Sequence, residues 1–359
     1  MEQNLNSQNK LKKRNLSLDI LKILSMIMVI ILHTKTYGLQ NTQITTYSGV
    51  YWAVWILHMF SLVAVNCFVL ISGYFISVSA PQPKKIFKLW VQTLIFSIGI
   101  YLAIVLSQNI NLSFVQFLSQ LLPVMSNQYW FFTCYFVLMI LSPFLNRLID
   151  SLNQQDFKKF IFVLLFIFMV IPTLNLFGDN FDSSKGYSLT WFIVLYCVGA
   201  YIRRFPLPKK PYGIFYIVIS MVAVFINALL ENLKDVLLLF ANLKSILIRY
   251  NSATVFFGSV CLFLFFVNKP IYTDKKWGKI ITTASLSSFC VYLIHEHPLI
   301  RDFIWKDNVK LFEVTDNFGQ FLLRLLLAVL SILIIGIIVG VIINKIIGLF
   351  EKVIEKLKR

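Results

Sequence analysis

Runs of about 20 apolar residues recur along the whole chain, and they constrain its fold more than any other feature. A helix of that length crosses the hydrocarbon core of a bilayer, which is about 30 Å thick. Hydrophobic residues make up 58% of the sequence and charged residues only 14%, unlike a water-soluble domain. The sequence therefore predicts an all-α, polytopic bundle of about ten transmembrane helices, at residues 16–38, 51–77, 86–106, 129–149, 159–176, 189–203, 211–230, 251–268, 280–297 and 320–344.

The formal charge of +17 could indicate a nucleic-acid partner, so the positions of the basic residues decide what it means. With a cytoplasmic N-terminus, 23 of the 33 lysines and arginines fall on the cytoplasmic side, 7 on the opposite side and 3 within spans. This split is what the positive-inside rule produces. The basic residues therefore indicate topology, with both termini cytoplasmic, and we exclude nucleic acid as a partner.

The chain divides into a basic cytoplasmic N-terminus (1–15), one transmembrane domain (16–350) and a cytoplasmic tail (351–359). The first apolar run is longer than that of a signal peptide and lacks a cleavage site, which indicates a signal anchor. Residues 232–249 are only mildly apolar and predict a surface or re-entrant segment. The five cysteines all lie within spans without CxxC spacing, so we expect packing residues, no disulfide and no metal site.

All four histidines are expected in one layer of the membrane. Helix rise places His33 about 25 Å above the cytoplasmic edge, His58 about 20 Å and His295 about 22 Å, with His297 slightly higher. An interfacial histidine bonded to a carbonyl is the simpler interpretation for His58, and a boundary-facing position for His297. The layer nevertheless predicts that the histidines converge in the outer half of the bilayer.

One face of the first span carries Asp19, Lys22 and His33. Lys22 and His33 are 11 residues apart, which leaves only about 20° after whole helical turns, and about 16 Å along the axis. Asp19 is one turn from Lys22 and can pair with it. Ionisable groups are costly in hydrocarbon and mark functional sites. Snorkelling of Lys22 to the interface is the alternative, but it does not account for the alignment.

Two further spans carry polar groups. Ser72-Gly73 lets two helix backbones approach or leaves room for a ligand, and Tyr74 adds a hydroxyl. In span nine, Tyr292 lies one turn below His295, with Glu296 next and Arg301 at the outer interface. A carboxylate beside an imidazole can orient it or shift its proton affinity, whereas a structural polar cap is the simpler interpretation.

At these residues the sequence resembles the membrane-bound acyltransferase-3 family, integral-membrane enzymes that O-acylate surface glycans and related molecules. The resemblance covers nearly the whole chain. Its motifs are a basic residue followed after ten positions by histidine (Lys22 to His33), "FVLISGYF", the basic start of span three, "YWFFTCYFVLMILSPFLNRLI" and "VYLIHEHPLIR". The family's usual arginine is a lysine here, which keeps the charge but loses bidentate donors.

The resemblance implies a multi-pass acyltransferase of the cell membrane, the cytoplasmic membrane of a bacterium. Its co-substrate would be acetyl-CoA or another acyl-CoA, with no permanently bound cofactor, and its acceptor a surface polysaccharide or lipid-linked glycan. Cations at the cytoplasmic mouth would bind the CoA phosphates: Lys22, Lys84, Lys85 and Lys88.

His33 would then act as general base or as an acyl-carrying nucleophile, and we favour the base. Glu296 or His295 would orient it. Lys35, His58, Tyr74 and Arg301 are the candidates for binding the acceptor, and Tyr74 or Lys35 for stabilising the oxyanion.

Two other classes of function compete. A glycan transporter or flippase would show paired broken helices and midplane carboxylates, and the sequence has neither. A glycan polymerase would carry a large outer loop, whereas the longest here is about 20 residues.

Overall fold

The structure is a computed structural model that describes residues 15–79, 81–108, 113–174, 184–233, 236, 238–273 and 276–357. Part of the topology prediction rests on residues outside this range, namely Lys10, Lys12, Lys13, Arg14, Lys234, Lys275, Lys358 and Arg359. Most of the predicted N-terminal segment (1–15) likewise lies outside the described residues.

The described residues form helices joined by turns and loops, and no strand occurs among them. The first eight helices are α1 Ser17–His33, α2 Gly49–Ser61, α3 Ala64–Ile76, α4 Pro83–Gln108, α5 Phe114–Leu121, α6 Trp130–Asp150, α7 Gln154–Leu165 and α8 Ile171–Leu174. The others are α9 Leu189–Arg204, α10 Tyr212–Leu233, α11 Leu238–Leu247, α12 Ala253–Val267, α13 Lys276–His295, α14 Pro298–Asp302 and α15 Phe318–Leu357. The all-α class predicted from the sequence is confirmed.

Each of the ten predicted spans contains a helix. Among the described residues, eight helical segments are long and apolar enough to cross a membrane. The two others, α9 and α12, have 16 and 15 residues, so each rises only about 24 Å or less. The number of crossings and the cytoplasmic location of the termini stay predictions.

Four helix starts are fixed in the same way. Serine precedes α2, α5, α9 and α12, and each serine hydroxyl accepts a hydrogen bond from a backbone N–H in the first turn. These N–H groups have no partner within their own helix, which is why serine is favoured there. The sequence therefore defines where these helices begin.

Helix α1 lies at the centre of the bundle, where it packs against α2, α3, α12, α13 and α15. It continues into a π-helical turn, Thr34–Gly38, so the segment runs without a break to Gly38. The span predicted at 51–77 consists of two helices, because the α-helix is interrupted at Leu62 and Val63. Helix α15 is a continuous helix of 40 residues, about 60 Å long, and continues beyond the last predicted span at 320–344.

Helices α3 and α9 pack with their backbones in close approach. A Cβ atom on Gly73 would lie 2.2 Å from the carbonyl oxygen of Tyr196, and one on Gly199 would lie 2.3 Å from that of Leu70. Only glycine fits at such distances. Of the two interpretations of Ser72-Gly73, close approach of backbones is therefore correct for the glycine.

The segment between α10 and α12 contains one short helix, α11, of 10 residues. At about 15 Å it is too short to cross the bilayer. Its lysine, Lys244, forms an ion pair with Glu231 at the end of α10. The segment predicted at 232–249 therefore folds against the end of α10.

Candidate active site

A large cavity of about 650 Å³ lies among α1, α2, α3, α6 and α13. On α1 it is lined by Lys22, Met26, Val29 and His33, which recur at helical spacing. Lys22 and His33 of the predicted stripe therefore face one interior space, whereas Asp19 is not among the lining residues. On α13 most of the lining side chains also share one face of the helix, namely Ser285, Ser288, Phe289, Tyr292 and, just past its end, Glu296, and Leu286 lines the cavity beside them.

At one end of this cavity, His33 meets the end of α13. The Nε2 atom of His33 lies 3.2 Å from Oε2 of Glu296, and the rings of His33 and His295 are 5.0 Å apart. The two groups are within ion-pair distance, but they are not aligned as a hydrogen bond. Oε2 of Glu296 has no hydrogen-bond partner among the described residues. Catalytic hydrogen bonds are often loose before substrate binds. Glu296 is 5% exposed, so the pair sits in a medium of low dielectric.

Tyr37 holds the carboxylate from the other side. Its hydroxyl donates to Oε1 of Glu296 at 2.9 Å and accepts from Arg301 at 3.4 Å, and the Arg301 guanidinium lies 4.9 Å from the Tyr37 ring. The ring of Tyr37 also lies 5.1 Å from that of His33. Arg301, Tyr37, Glu296 and His33 thus form one connected series. The π-helical turn after His33 carries Tyr37 into this series.

His295 lies behind His33 rather than on the cavity wall. Its Nδ1 is 2.5 Å from the carbonyl oxygen of Val291, which can only accept, so Nδ1 carries the proton. Nε2 is then the unprotonated nitrogen, and it has no hydrogen-bond partner among the described residues. His295 is therefore placed to support His33.

His297 is fully buried, so its expected boundary-facing position is wrong. Its Nδ1 accepts from the backbone N–H of Leu299 and caps the start of α14, and its Nε2 lies 2.9 Å from Nε2 of Gln128. Proline follows His297, so the chain turns there and the imidazole closes the new helix. The contacts of His297 are therefore those of a residue that stabilises the fold.

At the far end of the cavity, Lys22 lines the wall, and Asp19 one turn below accepts a 2.7 Å hydrogen bond from Ser285. The predicted cations Lys84, Lys85 and Lys88 are not among the lining residues. Lys88 instead lies 3.4 Å from Glu351 of α15, although its neighbour Leu89 does line the cavity. The start of α4 is therefore beside the cavity, with its cations outside the wall.

Lys35 and His58 both line the cavity near its His33 end. The Lys35 ammonium lies 3.5 Å from the centre of the Trp55 ring, and that of Lys244 lies 5.0 Å from the same ring. The rings of His58 and Trp55 are 5.9 Å apart and perpendicular. Of the four histidines expected to converge, His33 and His58 line this cavity and His295 lies against His33, whereas His297 caps α14 and is not among the lining residues.

Tyr74 does not belong to this region. Its hydroxyl accepts from Arg203 at 3.2 Å, its ring lies 4.9 Å from that guanidinium, and it does not line the cavity. It follows His58 by 16 residues, so it lies near the opposite end of the α2–α3 pair. The expectation that Tyr74 lies where the acceptor would bind is wrong, because Tyr74 is not on the cavity wall. Ser72 lines the cavity instead.

Sequence reasoning did not single out Tyr37, Trp130, Tyr187 or Tyr250, all of which line the cavity. For Tyr37 a signal existed, since it follows His33 by one helical turn. The other three come from separate parts of the chain, and nothing local marks them.

The model of the acyltransferase-3 domain, described as an acyltransferase domain, matches residues 15–344. The chain belongs to the acyltransferase-3 family. As a family member it is an acyltransferase of the multipass membrane type. Searches of curated proteins and of solved structures gave no match. Within the described residues, no three histidine, cysteine, aspartate or glutamate side chains are grouped as a metal site would require.

Proposed function

We propose that this acyltransferase-3 protein moves an acetyl group from cytoplasmic acetyl-CoA to a hydroxyl of an extracytoplasmic or lipid-linked polysaccharide in a bacterial cytoplasmic membrane. The observation that carries the proposal is one cavity lined both by Lys22 and by the His33–Glu296 pair. A thioester that enters beside Lys22 would reach His33 through the protein interior. The reaction would therefore need no aqueous intermediate on the outer side.

The donor would bind at the Lys22 end. Lys22, Lys84, Lys85 and Lys88 would offer positive charge to the phosphates of CoA, whose charge is otherwise unfavourable near a bilayer. The cavity wall above Lys22 is largely aliphatic, with Met26, Val29 and Leu32 on α1. Such a wall suits an uncharged pantetheine arm and an acyl group.

His33 would be the general base. A neutral imidazole carries one protonated and one unprotonated ring nitrogen, and Nε2 of His33 lies 3.2 Å from Oε2 of Glu296 at the cavity end. The unprotonated ring nitrogen would take the proton of the acceptor hydroxyl while the new C–O bond forms at the thioester carbon. The C–S bond then breaks, and the CoA sulfur leaves as the thiol with the proton from the imidazolium.

Glu296 would keep the imidazole in the required tautomer and stabilise the imidazolium, as carboxylates do in catalytic triads. His295 would support the ring from behind. Lys35, His58 and Arg301 would bind the acceptor or the developing oxyanion, since all three lie at the same end of the cavity.

The test compares surface polysaccharide from cells with the intact protein and with His33→Ala, scoring ester-linked acyl groups by NMR. Ile31→Ala, two residues earlier on α1 but not on the cavity wall, is the matched control. We expect loss of acylation in His33→Ala at unchanged protein level, and normal acylation in the control. Normal acylation in an inserted His33→Ala protein refutes the mechanism.

Donor binding is tested separately. We expect saturable acetyl-CoA binding by the purified protein that weakens in Lys22→Ala. A transporter or polymerase of glycan precursors would bind no CoA thioester, so this measurement separates the classes.

A further inference from the structure

Three aromatic rings form a cluster on the cavity wall that the reaction above does not use. The rings of Trp130 and Tyr187 are 4.5 Å apart, those of Tyr187 and Tyr250 are 4.7 Å apart, and Trp130 stacks on Tyr250 at 5.9 Å. All three residues line the same cavity as His33 and Glu296. We call them the aromatic wall.

The chain builds the aromatic wall from three separate starts of helices. Trp130 begins α6. Tyr187 lies two residues before the start of α9, and Tyr250 lies three residues before the start of α12. The loop before Tyr187 is held tightly: the backbone N–H of Tyr250 donates to the carbonyl of Lys185 at 3.0 Å. Gly186 has φ +89°, and a Cβ there would lie 2.7 Å from Asn251 N, so the two loops are in direct backbone contact. The wall is therefore preformed.

The position of the aromatic wall separates it from the donor end. Helix α6 runs from Trp130 to Asp150, and Asp150 pairs with Arg204 at the end of α9. The wall therefore lies at the end of these helices opposite to the basic residues that the sequence predicts to be cytoplasmic.

An interfacial aromatic belt is the simpler explanation for tryptophan and tyrosine at such a depth, but belt residues face lipid. Tyr250 is only 6% exposed, and all three rings face the cavity. Tyr187 is 46% exposed and offers much of its ring to an incoming molecule. The wall is thus partly covered by protein and partly open, as a binding subsite is.

We infer that the aromatic wall is the acceptor subsite, where a pyranose ring of the polysaccharide stacks on Tyr187 and Trp130. This inference rests on the proposed function and adds where the acceptor binds. The C–H groups on one face of a pyranose are apolar and slightly positive, which complements the negative face of an aromatic ring. Stacking leaves the sugar hydroxyls free at the rim, so one of them can point towards His33.

The test measures binding without reaction. Full-length protein in lipid nanodiscs is titrated, in the absence of any acyl donor, with the producing cell's own surface polysaccharide after mild alkaline removal of its ester groups. Calorimetry gives the dissociation constant for the wild type, Tyr187→Ala and Tyr187→Phe. Tyr47→Ala is the matched control, because the exposed fraction of Tyr47, 43%, is similar to that of Tyr187 and because Tyr47 does not line the cavity.

We expect Tyr187→Ala to bind the polysaccharide about tenfold more weakly, which corresponds to about 1.4 kcal/mol. Tyr187→Phe keeps the ring and should stay within about twofold of the wild type, as should the Tyr47→Ala control. Acetyl-CoA binding should be unchanged in all four proteins.

The inference is wrong if Tyr187→Ala binds like the wild type, if the wild type binds no polysaccharide, or if the variant instead loses acetyl-CoA binding. The last result would assign the rings to the adenine of the donor. Because each binding measurement contains only one of the two substrates, no acyl transfer takes place and these results do not depend on the role of His33. Persistent acylation in His33→Ala would overturn the proposed mechanism and leave the acceptor subsite standing.

Discussion

Removing the hydroxyl of Tyr37 is the sharpest test of how the proposed base, His33, is held in place by Glu296. The hydroxyl donates to Oε1 of Glu296 at 2.9 Å and accepts from Arg301 at 3.4 Å. Tyr37→Phe deletes both contacts and keeps the ring packed 5.1 Å from His33. The variant therefore changes the support of the carboxylate without opening a cavity.

The size of the effect follows from the type of hydrogen bond. A hydrogen bond to a charged group contributes about 1.5–3 kcal/mol. If that support is needed to hold Glu296 against His33 in the transition state, turnover should fall between about tenfold and about a hundredfold, at 1.36 kcal/mol for each tenfold. The KM for acetyl-CoA should not change, since Lys22 lies at the other end of the cavity.

The assay is release of CoA thiol by protein in nanodiscs supplied with acetyl-CoA and de-esterified polysaccharide. Tyr47→Phe is the control, because the Tyr47 hydroxyl donates to the backbone carbonyl of Ala228, outside the cavity. Wild-type turnover in Tyr37→Phe would show that Glu296 needs no such support. A change in KM alone, with kcat preserved, would assign Tyr37 to substrate binding.

Two further predictions concern stability. Gly73→Ala should lower the yield of folded protein and its thermal midpoint, because a Cβ there would lie 2.2 Å from a carbonyl oxygen of α9, whereas Gly99→Ala meets no atom within 4 Å and should behave like the wild type. Ser285→Ala removes a 2.7 Å donor to the buried Asp19 carboxylate and should destabilise by about 1–3 kcal/mol, seen as a lower thermal midpoint. Ser331→Ala is the control for this variant, because Ser331 bonds only to its own helix, and an equal midpoint for the two serine variants would refute the role of the Asp19 contact.

Much of the fold could be predicted because each membrane helix carries its own apolar signal. The stripe of Lys22 and His33 was also readable, since rotation within one helix is fixed by its period. The break at Leu62 and Val63 was not, because both residues are apolar and carry no helix-ending signal. Local pattern predicts a helix, but not where its hydrogen bonding is interrupted.

The candidate site was predictable only within single helices. Tyr74 was expected near the histidines, but which face of α3 meets the cavity depends on how Gly73 packs against α9. His297 was expected at the boundary, yet the turn at Pro298 brings it inside. The aromatic wall needs three distant loops to meet, and rotation of one helix against another is not written in the sequence of either.

The length of the cavity limits how the membrane can stay sealed. Lys22 and His33 face the same space about 16 Å apart along α1, roughly half the hydrocarbon thickness. If water filled this space from both mouths at once, protons would run down the electrochemical gradient through it. Under the proposed function, the space must therefore not be open to water on both sides at once, so donor and acceptor would be exchanged in turn.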